Sequence, residues 1–288
     1  MKARAYLYII SAAALWGLIG LFVKILAGQG FTSMQIVALR AIASAFCITL
    51  VLCKLGLRHL RIRLRDAWLF AGTGICSLVF FNYCYFNCMQ QSSLAVAALL
   101  LYTAPIFVML LSLLLFGESF NLRKGVSLAC TFIGCAFVTG AFSSGLTLTL
   151  AGLLYGLGSG VGYALYSIFG KYAVQKYSSP TITAYTFYFA LASVPLADFN
   201  REAFARLDLT SVLCSLGLGL VCAVIPYIFY TKGLEQVEPG QASILATVEP
   251  FVAAALGMLV FAEPLTFGKA AGMLLIFFSI VILNLPKK

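Results

Sequence analysis

Hydrophobic residues in this chain do not alternate with polar ones; they run on. Apolar stretches occupy roughly residues 6–26, 32–53, 67–88, 94–116, 123–142, 150–171, 180–198, 209–231, 240–261 and 266–285. Each is close to the ~20 residues a helix needs to cross a bilayer core. The connections between them are too short to hold a soluble domain. The predicted fold is therefore an all-α membrane protein of ten transmembrane helices. The first stretch follows Lys2 and Arg4 and contains Ala12-Ala13-Ala14, as a secretory signal can. The second half of the chain keeps a counterpart of it, so it reads as an uncleaved span.

Composition agrees: 62% of residues are hydrophobic and 10% charged, and the mean hydropathy is +1.02. A soluble domain carries ~45–50% apolar and ~25% charged residues. Lipid must be the solvent for most of this surface.

The net charge of +10 changes the picture only through its distribution. Basic residues sit in short segments between apolar runs, with Lys54, Arg58, Arg61, Arg63 and Arg65 all in the 53–66 connection. The connections 27–31, 89–93 and 143–149 carry no charge. That asymmetry is the positive-inside pattern and predicts both termini on the cytoplasmic side of a plasma or inner membrane. A nucleic-acid binder would gather these charges on one folded domain, and there is none. In 199–208, Arg201 and Arg206 balance Glu202 and Asp208, and the spacing of Phe199, Ala203 and Leu207 predicts a short helix on the outer surface.

An internal repeat organises the chain. Tyr85–Cys135 superposes without a gap on Tyr230–Ile280: Pro105 meets Pro250, Phe116-Gly117-Glu118 meets Phe261-Ala262-Glu263, and Lys124 meets Lys269. Nearer the start of each half, Trp16 and Lys24 meet Tyr163 and Lys171. The halves divide as 1–145 and 146–288, five helices each. Because five is odd, they cross the membrane in opposite senses, which makes an inverted repeat of the kind found in secondary transporters.

These residues resemble the drug/metabolite transporter superfamily in its ten-helix EamA-like branch. The resemblance rests on Trp16-Gly17, Arg40, Pro105 with Phe116-Gly117-Glu118, Glu249-Pro250, and Glu263 ahead of Lys269. It covers essentially the whole chain. It implies an exporter or importer of amino acids, metabolites, nucleotide sugars or drugs, with a central cavity among helices 1, 3, 4, 6, 8 and 9. The reading adopted is a secondary transporter of small organic solutes such as amino acids or related metabolites, with export the favoured direction.

Polar and aromatic residues at helical spacing supply a candidate cavity wall: Trp16, Asn82, Tyr85, Tyr102, Tyr163, Tyr227 and Tyr230. Ser159, Tyr163, Ser167 and Lys171 recur every four residues and share a face. Such groups cost free energy against lipid and are expected to point inward; gluing helices together is the alternative use. Gly152, Gly156 and Gly160 form a small-residue stripe suited to internal helix packing or to a homodimer.

Two charges lie deep. Arg40 sits ~12 Å into its span and needs a partner, whether carbonyl, carboxylate or anionic solute. Glu249 lies near the midplane and is either a private structural contact or a group that couples protons or touches the solute. Counted along an unbroken helix, Glu249 falls more than 90° from the face of Ser243, Thr247 and Pro250; if that face lines the cavity, Glu249 points toward a neighbouring helix. Glu118 and Glu263 are expected to order tight turns ahead of the helix caps Asn121 and Thr266.

Other chemistry lacks a framework. The nine cysteines are scattered, the closest pair being Cys84 and Cys88, and the lone histidine, His59, lies in a basic connection. No metal, disulfide or cofactor is expected. No carboxylate pair or Ser/His arrangement suggests an enzyme, and no phosphate-binding loop suggests ATP-driven transport. Expected partners are a small solute, the lipid bilayer and, if Glu249 couples them, protons. A structural or receptor-like membrane protein is the competing reading.

Overall fold

Long apolar segments with few helix breakers form helices that satisfy their own backbone. The computed structural model, which describes residues 2–141, 149–199, 203 and 205–284, is helical in all its regular elements. The rods are α1 (Ala3–Gly28), α2 (Ser33–Leu55), α3 (Leu64–Gln91), α4 (Leu94–Phe116), α5 (Leu122–Val138), α6 (Leu150–Ala173), α7 (Ser179–Ala190, continued by a 3₁₀ turn Leu191–Ala197), α8 (Leu209–Leu234), α9 (Pro239–Phe261) and α10 (Phe267–Asn284). Seven of them, all but α5, α6 and α7, are long and apolar enough to cross a membrane. Of the surface helix predicted in 199–208, residues 200–202 and 204 lie outside the described residues, as does most of the 143–149 connection.

Contacts between connections define two opposite ends. At one end Lys176 bonds Asp66 (2.7 Å), His59 meets Ser178 (3.1 Å), and Lys124 reaches Glu238 (2.7 Å). Arg61, Arg63 and Arg65 belong to this basic face. At the other, neutral face, Gln29 bonds Asp208 (3.1 Å), Arg206 bonds the Gly30 carbonyl (2.7 Å) and Gln35 bonds the Asp198 carbonyl (3.1 Å).

The repeat is visible in backbone irregularities as well as in sequence. α3 contains a π segment at Gly72–Val79, and α8 contains one at Leu220–Val224, its counterpart 145 residues on. Each is flanked by glycines that admit a neighbour. A β-carbon at Gly72 would stand 2.4 Å from Phe169, and one at Gly217 would stand 2.6 Å from Phe22, the equivalent pair. α4 turns out of register at Tyr102–Thr103 and α9 at Ala246–Thr247. The prolines that follow, Pro105 and Pro250, lack the N–H that would bond the carbonyl four residues back. After both breaks the chain ends its helix in the left-handed region, at Gly117 (φ 63°) and Ala262 (φ 52°). The next N–H bonds back to Ser112 and Gly257, so the two turns match.

Candidate solute cavity

The cavity is built where these irregular elements meet. It encloses about 440 Å³ between α1, α2, α3, α4, α8 and α9, within the ~300–1,000 Å³ typical of small-molecule sites. Lys24, Ser33, Met89 and Leu94 line its mouth, so it opens toward the neutral face. Gly17 lets the walls close around it: a β-carbon there would stand 2.7 Å from Val252 and 3.0 Å from the Glu249 carbonyl.

Of the predicted wall, Trp16, Asn82, Tyr85 and Tyr102 line this cavity. Asn82 is held by a 2.7 Å bond from its amide to the Leu78 carbonyl. Tyr163, Tyr227 and Tyr230 lie one layer deeper, beneath Trp16. Their ring centroids stand 6.4, 5.3 and 5.3 Å from that of Trp16. Tyr166, which spacing alone did not single out, completes the layer against Tyr227 (4.8 Å). Hydrogen bonds tie it down: Ser167 with Tyr230 and Tyr166 with Thr231, both 2.7 Å. This layer leaves a void of about 10 Å³ and forms the cavity's floor.

The deep charges both face the cavity. Glu249 points away only if the face of Ser243, Thr247 and Pro250 lines the cavity, and none of those three does. The count assumed one continuous helix, but α9 breaks between Ser243 and Glu249. Ser243 and Thr247 turn onto their own backbone, at Gly240 (2.8 Å) and Ile244 (2.6 Å). Glu249 instead lines the cavity and accepts a 3.0 Å hydrogen bond from the Tyr163 hydroxyl. Among the described residues the Arg40 guanidinium has no hydrogen bond or ion pair. The buried indole N–H of Trp16 likewise has no partner.

Glu118 and Glu263 stand in their turns, outside the cavity, with Asn121 and Thr266 capping the following helices. The glycine stripe packs internally. A β-carbon at Gly156 would stand 2.2 Å from Leu100, and one at Gly160 would stand 2.5 Å from Thr103. The described residues hold no cluster of metal-ligating side chains and no disulfide.

The helices thus surround a mostly apolar cavity that carries a few polar and charged groups, an architecture of membrane-embedded helical proteins. The EamA-like transporter family matches residues 3–140 and again 150–285, and the chain belongs to that family. An uncharacterized transporter of Archaeoglobus fulgidus is 32% identical over 72% of this chain and 75% of its own length. The uncharacterized transporter YwfM of Bacillus subtilis is 24% identical across 100% of this chain and 97% of its own. A protein of known crystal structure, 18% identical, superposes with a TM-score of 0.80 over 99% of this chain and 97% of that one, a likeness of fold.

Proposed function

We propose that the chain is a gradient-driven or facilitative carrier of small zwitterionic solutes, amino acids or close relatives, with ten membrane spans and the basic face cytoplasmic. In that orientation the cavity faces outward. The observation that carries the reading is Arg40, a guanidinium that lines the same cavity as the carboxyl of Glu249 and has no hydrogen-bond or ion-pair partner among the described residues. A half-buried guanidinium at this depth of a membrane span is costly to leave unpaired, so a solute carboxylate is the natural partner for Arg40. Glu249 would receive the ammonium, the Trp16 N–H would donate to the solute, and Phe81, Phe86 and Leu101 would cover its apolar part. Both breaks fall at the cavity, as in carriers whose discontinuous helices expose backbone and polar groups at the midplane.

A thermal-shift screen of the purified protein tests this, because a ligand of the folded state raises its apparent stability. A free amino acid should stabilise the protein, whereas its decarboxylated amine and its N-acetylated form should not. Stabilisation by nucleosides or nucleotide sugars alone would contradict the assignment.

A further inference from the structure

The repeat relates contacts as well as residues, and some of those contacts are made at one face only. At the basic face Lys171 extends from α6 to the carbonyls of Leu234 (2.6 Å) and Val237 (3.1 Å), at the end of α8. Glu118, from the first half, accepts a 3.0 Å hydrogen bond from the Gly240 N–H at the start of α9. Lys124 bridges Glu118 (2.9 Å) and Glu238 (2.7 Å). The Glu118–Gly240 and Lys124–Glu238 bonds cross between the halves, while Lys171 ties α6 to the end of α8 within the second half; together they seal the side beneath the tyrosine floor.

The repeat mates stand at the neutral face and, among the described residues, do not make those bonds. Lys24, mate of Lys171, lies over the Phe261 ring at 3.6 Å. The mates of Leu234 and Val237 are Met89 and Ser92, and Met89 lines the same cavity mouth as Lys24. Glu263 pairs with Lys269 at 2.8 Å, as Glu118 does with Lys124, but is about half exposed where Glu118 is buried. The mate of Gly240 is Ala95, next to the mouth residue Leu94.

We infer that these are two alternative closure locks, one made at a time, an inference that rests on the transport reading. Closing the neutral face would seat Lys24 on the carbonyls of Met89 and Ser92, and Glu263 on the Ala95 N–H, while Lys171 and Glu118 let go. The locks are unequal. Glu238 has Ser93 as its mate, so the neutral lock lacks the second acid. Ser112, which donates to Glu118, has Gly257 as its mate. Glu118 also stands so near Gly240 that a β-carbon there would lie 2.6 Å from its Oε1, whereas Ala95 carries that carbon. The weaker neutral lock favours the state seen here, open at the neutral face.

Thiol labelling reads the equilibrium directly. No native cysteine lines the cavity, and an added β-carbon at Gly20 meets nothing within 4 Å, so G20C is a probe of the open mouth. The full chain is held in lipid nanodiscs, where a maleimide reaches both faces. K171M should slow labelling of G20C several-fold by freeing the basic face, and E118Q should act in the same direction if K171M does not fold. K24M should leave the rate equal or raise it, and K171M/K24M should return toward the native rate. Unchanged or faster labelling in both K171M and E118Q would overturn the inference, as would slowing by K24M. Proteoliposome flux by the native chain reports the transport reading separately, so the two can fail independently.

Discussion

Trp16 roofs a stack of tyrosines while leaving its own N–H unpartnered, so packing and recognition can be separated at one side chain. Trp16→Phe keeps an aromatic ring over Tyr227 and Tyr230 and removes only the donor. A neutral hydrogen bond contributes about 0.5–1.5 kcal/mol, so solute affinity should fall by roughly two- to tenfold with little change in melting temperature. Trp16→Ala removes the ring as well and should lower both. At Arg40 the expected loss is larger, since a hydrogen bond to a charged group is worth about 1.5–3 kcal/mol. Arg40→Gln should weaken amino-acid binding by at least about tenfold without altering any residual binding of the matching amine. Titration calorimetry on the purified variants measures both. Glu249 shows where residue-level reading of the sequence reached its limit. Its depth was legible from hydropathy, but its direction depended on a helix break that an even 100° count passes over.

At the scale of elements, the sequence made helices legible through run length and caps through Asn121 and Thr266, each of which accepts from the N–H three residues on. The breaks and π segments were harder to see, because apolarity does not vary across them. Their signals were paired: Pro105 with Pro250, and Gly72 with Gly217, each pair at the repeat offset. These close approaches predict distinct sensitivities. At Gly219 an added β-carbon would stand 2.7–2.8 Å from Ala43 and the Ser44 backbone, which cannot swing aside. Gly219→Ala should destabilise by about 1–3 kcal/mol, whereas Gly20→Ala should be nearly neutral in the same thermal melt. The cap of α8 adds a pH dependence. The Ser211 N–H, with help from Gln29, holds the exposed Asp208 carboxyl below the usual aspartate range. Its folded value is depressed, so its contribution is complete above the unfolded value of ~3.9 and is lost as pH falls through the folded one. Asp208→Asn should therefore show a smaller drop in melting temperature on acidification than the native chain.

For the whole molecule, charge distribution and repeat together predict an orientation, while the state of the cavity could not be read from them. Which face is open is a property of tertiary contacts such as Lys171 with Leu234, and the repeat alone treats Lys24 and Lys171 alike. Orientation is tested with an impermeant thiol reagent on intact cells, the native chain serving as blank. Leu265→Cys, in the exposed turn of the neutral face, should label from outside, and Arg61→Cys, on the basic face, should not. The reverse pattern would turn the molecule over. The central claim, a carrier that moves a zwitterion through this cavity without ATP, is tested most directly by flux of radiolabelled amino acids into proteoliposomes containing only this protein. The account predicts saturable flux above empty vesicles for at least one amino acid, reduced at least about tenfold by Arg40→Gln. No flux above empty vesicles across the full amino-acid panel, or flux indifferent to Arg40, would contradict it.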